Sequence, residues 1–150
     1  FLREPEIRRG VELLYFGYAQ LMRATDNILA AEGLGRAHHR ALYFIARNPD
    51  CTVGALLALL GITKQSLGRV LGELTERALV ETRTGASDRR QRRLRLTHAG
   101  AALEAAIFDA LREKLSGAYL AAGPDAVGGF WAVLEELLPP EDRGRLAELR

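Results

Sequence analysis

Residues 52–97 read TVGALLALLGITKQSLGRVLGELTERALVETRTGASDRRQRRLRLT, and this stretch decides the fold. Thr52 is a good N-cap for a short helix through Leu60, and Gly61 is a natural C-terminal stop. Thr63 caps the next helix, whose Leu67, Val70, Leu71 and Leu74 follow the i, i+3, i+4, i+7 spacing of one apolar face. Leu79–Arg83 and Arg93–Leu96 then read as two short strands, with Gly85–Arg92 as the hairpin loop between them. Two helices joined by Gly61-Ile62-Thr63 and followed by strand, loop and strand make the order of a winged helix-turn-helix.

Charge singles out the same stretch. From Lys64 to Arg95 there are nine basic and four acidic residues, nine minus four giving +5. Residues 1–61 carry seven basic and six acidic residues, or +1, and residues 98–150 carry five and nine, or −4. The total of +2 thus hides a polarised chain with one block suited to a polyanion. On the helix that follows Thr63, Lys64, Gln65, Gly68, Arg69 and Gly72 lie opposite the apolar face. Gln and Arg bond bidentately to adenine and guanine edges, so Gln65 and Arg69 are the base-reading candidates. Thr63, Lys64 and Ser66 sit at the helix N-terminus, where hydroxyls, amides and the dipole favour phosphate. The glycines Gly68 and Gly72 fit either close approach to a nucleic-acid backbone or simple tolerance. In the loop, Arg89, Arg90 and Arg92 suit a narrow minor groove, and Asp88 is expected to orient a neighbouring guanidinium. A solvated charged hairpin would look the same in isolation. The preceding helix-turn-helix is what favours nucleic acid.

The rest of the chain is helical in pattern. Pro5 opens a long amphipathic helix marked by Val11, Leu14, Tyr18, Leu21, Met22, Thr25, Ile28 and Leu29, ending near Gly33 and Gly35. Gly10 and Gly17 weaken it by about 1 kcal/mol each, so it depends on packing. A second helix covers Arg36–Arg47 and stops at Asn48-Pro49-Asp50. Thr97 caps a fifth helix to about Ala121, with Leu103, Ile107, Leu111 and Leu115 as its stripe. A sixth carries Val127, Phe130, Trp131, Leu134, Leu137 and Leu138, Pro139-Pro140 breaks it, and residues 141–150 form a short helical piece.

At 150 residues the chain is one domain with a real core. Its expected parts are a DNA-binding lobe at 36–97 and flanking helices at 1–35 and 98–150. The fold class is therefore mainly α with a small β-wing. The flanking helices hold more apolar surface than a small winged-helix core needs, which a symmetric homodimer would bury. No apolar run reaches the ~18–20 residues that span a bilayer, and charges interrupt the N-terminus where a signal peptide would lie. Phe1 in place of Met points to a short preceding segment. One cysteine excludes an intrachain disulfide, and the expected location is the cytoplasm.

Metal, redox and catalytic chemistry find little support in the residues. His38 and His39 point roughly 100° apart on a helix, and no HxxxH spacing or second Cys supports a metal site. No cofactor is expected. Cys51 precedes a helix N-terminus that would favour its thiolate, yet its redox role is set aside as incidental. An enzyme is not expected, because there is no Gly-rich phosphate loop, metal triad or nucleophile motif.

The chain resembles the MarR family of bacterial transcription regulators over nearly its whole length. The resemblance rests on ITKQSLGRVLGELTERALV, on Asp88-x-Arg90 followed by Leu94-x-Leu96-Thr97, and on the helix opening Thr97-His98-Ala99-Gly100. It implies a homodimer that binds an inverted repeat in double-stranded DNA, with repression as the expected outcome. It implies that Arg90 enters the minor groove, that Asp88 supports it, and that Gln65, Ser66 and Arg69 are recognition-helix contacts. It also implies an effector, expected to be a small aromatic or phenolic compound, in a cleft for which Tyr15, Tyr18, Met22, His38, His39 and Tyr43 are candidates. Core or dimer-interface residues would leave the same pattern. Many relatives have glycine at Ala78, and a left-handed turn would strain alanine, so this turn is expected to differ. The alternative function is a winged-helix protein-interaction module that reads no DNA.

Overall fold

The computed structural model describes residues 2–85 and 87–149. Phe1, Ala86 of the expected hairpin loop and Arg150 of the expected last helix lie outside the described residues. The elements run α1 (Glu4–Ala31), α2 (Arg36–Arg47), β1 (Cys51–Thr52), α3 (Val53–Leu60), α4 (Lys64–Glu76), β2 (Val80–Thr84), β3 (Arg92–Leu96), α5 (His98–Ala122), α6 (Pro124–Leu137) and α7 (Pro140–Glu148).

Three threonines start three helices as expected. Thr52, Thr63 and Thr97 each accept a hydrogen bond from the backbone N–H three residues on, at Ala55 (3.1 Å), Ser66 (3.1 Å) and Gly100 (3.0 Å). Two helices end in Schellman turns. After α1, Gly33 at φ +65° lets Leu34 N–H bond back to Leu29 O (2.9 Å). After α4 the same turn forms around Ala78 at φ +57°, with Leu79 N–H donating to Leu74 O (2.9 Å). The expectation that Ala78 would avoid the left-handed turn is therefore wrong. The turn is retained because it places Leu79 back against Leu74, both buried, and the alanine carries the strain.

The sheet has a third strand that periodicity did not reveal, in the order β1-β3-β2. Two residues, Cys51 and Thr52, pair antiparallel with Leu94 and Arg93. Strands β2 and β3 pair from Val80↔Leu96 to Thr84↔Arg92. Alternation puts Val80, Thr82, Leu94 and Leu96 on the core-facing side and Glu81, Arg83, Arg93 and Arg95 on the outer side. The core gathers Leu42, Ile45, Leu56, Leu67, Leu74, Val80, Leu94 and Ile107, so α2, α3, α4, the sheet and α5 share one apolar centre.

Helices α1 and α6 remain largely outside that centre. Val11, Tyr15, Phe16 and Tyr18 on α1 and Trp131, Val133 and Leu137 on α6 are more than half exposed. No described helix is long and apolar enough to cross a membrane.

Candidate nucleic-acid interface

Helix α4 carries two stripes fixed by one periodicity. Leu67, Val70, Leu71 and Leu74 are buried, and this holds Gln65, Gly68, Arg69 and Gly72 outward on the adjacent face. Lys64, Gln65 and Arg69 are all exposed. A Cβ on Gly68 or Gly72 would meet nothing within 4 Å, so the chain itself makes no demand for glycine there. At the start of α4 the Thr63 hydroxyl donates to Ser66 Oγ (2.9 Å) while accepting the Ser66 N–H. The Ser66 O–H is left with its own proton free for an anion.

The wing sorts its arginines by position. On the outer side of the ribbon every guanidinium is engaged. Arg83 bonds Glu81 (3.0 Å). Arg93 donates to Asp50 O and to Gln91 Oε1, both at 3.1 Å. Arg95 bonds both carboxylate oxygens of Asp50, with Nε at 3.1 Å from Oδ1 and Nη2 on Oδ2. The Arg95 hydrogen bond holds the Asp50 carboxyl below its ordinary range despite some desolvation, and Arg83 and Arg93 add to the effect. At the tip, Arg89, Arg90 and Arg92 are exposed, and among the described residues no side-chain hydrogen bond or ion pair engages their guanidiniums. The loop is closed by Gly85 N–H to Gln91 O (2.9 Å) and Gln91 N–H to Asp88 O (3.1 Å).

Asp88 acts differently from expectation. Its Oδ1 accepts the backbone N–H of Arg90 (2.9 Å), an Asx turn, and among the described residues it bonds no guanidinium. Its contribution is to bend the backbone that presents Arg90. Sequence reasoning also missed Asp50. Extending the β1–β3 register by one residue sets Asp50 opposite Arg95, and Asp50 N–H donates to Leu94 O (3.0 Å).

The residues assigned to an effector cleft are spread over α1 and α2. Tyr15 and Tyr18 lie on the exposed surface of α1, and Met22 is half-buried on the same helix. His39 is buried and meets Tyr43 edge-to-face at 6.4 Å, and Tyr43 lies 6.5 Å from Phe108 of α5. Burial lowers the His39 basicity, with the Arg40 charge acting in the same direction, and its Nε2 has no partner among the described residues. His38 instead ties α2 to α4. Its Nδ1 accepts Gly35 N–H (3.0 Å) and its Nε2 bonds Glu73. A ring nitrogen that accepts an amide proton has none of its own, so Nε2 is the nitrogen that donates toward Glu73 in this arrangement.

Burial pushes the Cys51 thiol up, opposite to the shift a helix N-terminus would give. Among the described residues, no group of three or more His, Cys, Asp or Glu is arranged to hold a metal ion.

A helix pair with an exposed polar strip, followed by a cationic β-ribbon, defines the class: a winged helix-turn-helix protein. A sequence profile described as "MarR family" matches residues 32–91. The chain is 47% identical over 143 residues to the HTH-type transcriptional regulator PetP of Rhodobacter capsulatus, covering 95% of this chain and 86% of that one. In fold it matches a cysteine-to-serine mutant of E. coli MarR complexed with operator DNA (TM-score 0.71, 21% identity, 89% of this chain and 96% of that one). It also matches Staphylococcus aureus MarR in complex with salicylate and kanamycin (TM-score 0.74, 21% identity, 89% and 91%). The chain belongs to the MarR family of transcription regulators, a family of HTH-type regulators rather than enzymes.

Proposed function

We propose that this protein is a sequence-specific binder of duplex DNA that acts as a homodimer on an inverted-repeat operator and represses transcription in the cytoplasm. The observation that carries the reading is the pairing of two free surfaces: the Gln65–Arg69 strip of α4 and the unpaired Arg89, Arg90 and Arg92 at the wing tip. Thr63, Lys64 and Ser66 meet phosphate at the start of α4, and Gln65 and Arg69 read base edges. Arg90, carried on the turn that Asp88 closes, enters the minor groove. Residues 36–97 form the DNA-binding lobe. Residues 1–35 and 98–150 supply the dimer helices, whose exposed apolar side chains on α1 and α6 need covering. Two such lobes place their recognition helices about 34 Å apart, one turn of DNA.

Operator DNA bound to the E. coli relative supports the DNA assignment. Salicylate bound to the S. aureus relative supports a small aromatic or phenolic effector.

The test is titration of the chain's own upstream DNA and of a scrambled duplex across a range of salt. The wild type should prefer the native fragment and weaken steeply with salt, with a log–log slope of about 0.9 per phosphate contact. Arg90→Ala should weaken binding to both duplexes, whereas Gln65→Ala or Arg69→Ala should reduce the preference by roughly 1–3 kcal/mol. If Arg69→Ala weakened both duplexes equally, it would be a phosphate contact. Absence of binding to either duplex would move the function to protein interaction.

A further inference from the structure

The outer side of the wing ribbon poses an electrostatic problem. Arg83 and Arg93 face each other directly across β2 and β3, and Arg95 is two residues further along β3. Like charges in that position repel and splay a ribbon. Two acids stand against the three cations. Glu81 takes Arg83, and Asp50, which is not on the ribbon at all, takes the others. Asp50 offers Arg95 both carboxylate oxygens and offers Arg93 its carbonyl. It does so from a left-handed backbone, φ +62°, which aspartate tolerates better than most residues. The segment that leaves α2 thus grips the inner ribbon through one residue.

We propose that Asp50 is a positioning residue of the DNA-binding wing. By holding Arg93 and Arg95 at the ribbon it removes those two guanidiniums from the DNA contact set and fixes the attitude from which Arg89, Arg90 and Arg92 meet the duplex. This rests on the DNA-binding reading above. It makes the wing two populations of arginine with different tasks, although all lie within Arg89–Arg95.

The inference separates cleanly from simple electrostatics. Removing an acid close to a polyanion tightens binding on charge alone. Loss of a positioning residue acts in the opposite sense, because the tip arginines lose their aim. The experiment measures binding to a random-sequence duplex as a function of salt for wild type, Asp50→Asn, Arg95→Gln and the double variant, with thermal melts as the folding control. Asp50→Asn keeps the tolerance for a left-handed backbone and removes only the charge. It should weaken binding about fivefold to tenfold, within the range for losing one arginine contact. Arg95→Gln should weaken binding similarly and leave the salt slope unchanged, and the double variant should be no weaker than the weaker single. In a background with Arg89, Arg90 and Arg92 all changed to Ala, Asp50→Asn should cause no further weakening, which a general loss of structure would not reproduce. Should Asp50→Asn fail to fold, Arg95→Gln alone carries the test. Tighter or unchanged binding by Asp50→Asn overturns the inference, as does a slope about one unit shallower in Arg95→Gln, the mark of a lost phosphate contact. A wild type that binds no duplex at low salt overturns the proposed function itself, so the two failures are distinct.

Discussion

Gly100 makes the closest approach of any glycine among the described residues, and its replacement tests how α5 is joined to the wing. It is the third residue of α5, buried, with its N–H on the Thr97 hydroxyl. A Cβ added there would lie 1.9 Å from Leu79 O and 2.9 Å from Leu79 C. Ordinary contact begins near 3.4 Å, so the two must separate by 3.4 − 1.9 = 1.5 Å. The obstacle is backbone, and that backbone is held. Leu79 O accepts Thr97 N–H (3.1 Å), and Thr97 Oγ1 donates to Ala78 O (2.6 Å). Moving α5 outward therefore disturbs the helix cap and the first residues of β2 together. Overpacking costs about 1–3 kcal/mol and the disturbed hydrogen bonds about 1 more. Alanine returns about 1 kcal/mol in helix propensity. The net expectation for Gly100→Ala is a loss of about 1–3 kcal/mol, a fall in Tm of roughly 2–12 °C for a domain of this size. Gly117→Ala is the matched control, in the same helix, exposed, with nothing within 4 Å of the new Cβ. It should gain about 0.5–1 kcal/mol. Calorimetry of the three proteins at one fixed concentration, which matters for the proposed dimer, reads the difference. If Gly100→Ala melts with or above Gly117→Ala, the close approach of α5 to Leu79 is not real.

Three other outcomes follow from the same reasoning. Ala78→Gly should raise the urea-derived stability by about 1 kcal/mol, since it removes the Cβ from a φ of +57°, and a loss would show that the turn is not left-handed. His39 is buried with lowered basicity, so the unfolded chain takes up a proton first. Stability should then fall as pH drops below about 6.5, by up to ~1.4 kcal/mol per pH unit, until the folded imidazole is protonated too. His39→Phe should flatten that dependence in urea melts taken on either side of this pH; equal slopes in both proteins would assign it to other groups. Val11→Asp combined with Leu14→Asp should convert a species near twice 16.5 kDa in equilibrium sedimentation to one of 16.5 kDa, and a wild type already at the lower mass would remove the dimer.

What the sequence makes legible divides along the range of the interactions. Thr52, Thr63 and Thr97 are recognisable as caps because each needs only the residue three positions on. The exposed strip of α4 is recognisable for the same reason: once Leu67, Val70, Leu71 and Leu74 are assigned inward, Gln65 and Arg69 have nowhere else to point. Strand β1 is hidden because two residues cannot display a period, and Ala78 is misread because the local strain is real but is outweighed by seating Leu79.

The consequence is sharpest in the wing. The hairpin pattern already separates Arg89, Arg90 and Arg92 of the loop from Arg93 and Arg95 of the strand, but it does not say what the strand pair bonds to. Only the non-sequential strand order, which sets Asp50 beside β3 some forty-five residues before Arg95, supplies that partner. Asp88 shows the same limit at short range: an acid among arginines is read as a guanidinium partner, yet the backbone N–H two residues on is nearer and takes it. In this fold the groups suited to touching DNA are set by local periodicity. Of the groups proposed to aim them, Asp88 acts within its own turn, whereas Asp50 is set by which segments the tertiary structure brings together. A substitution that keeps every outward-facing cation while disturbing these acids should therefore impair binding without changing the face the protein presents.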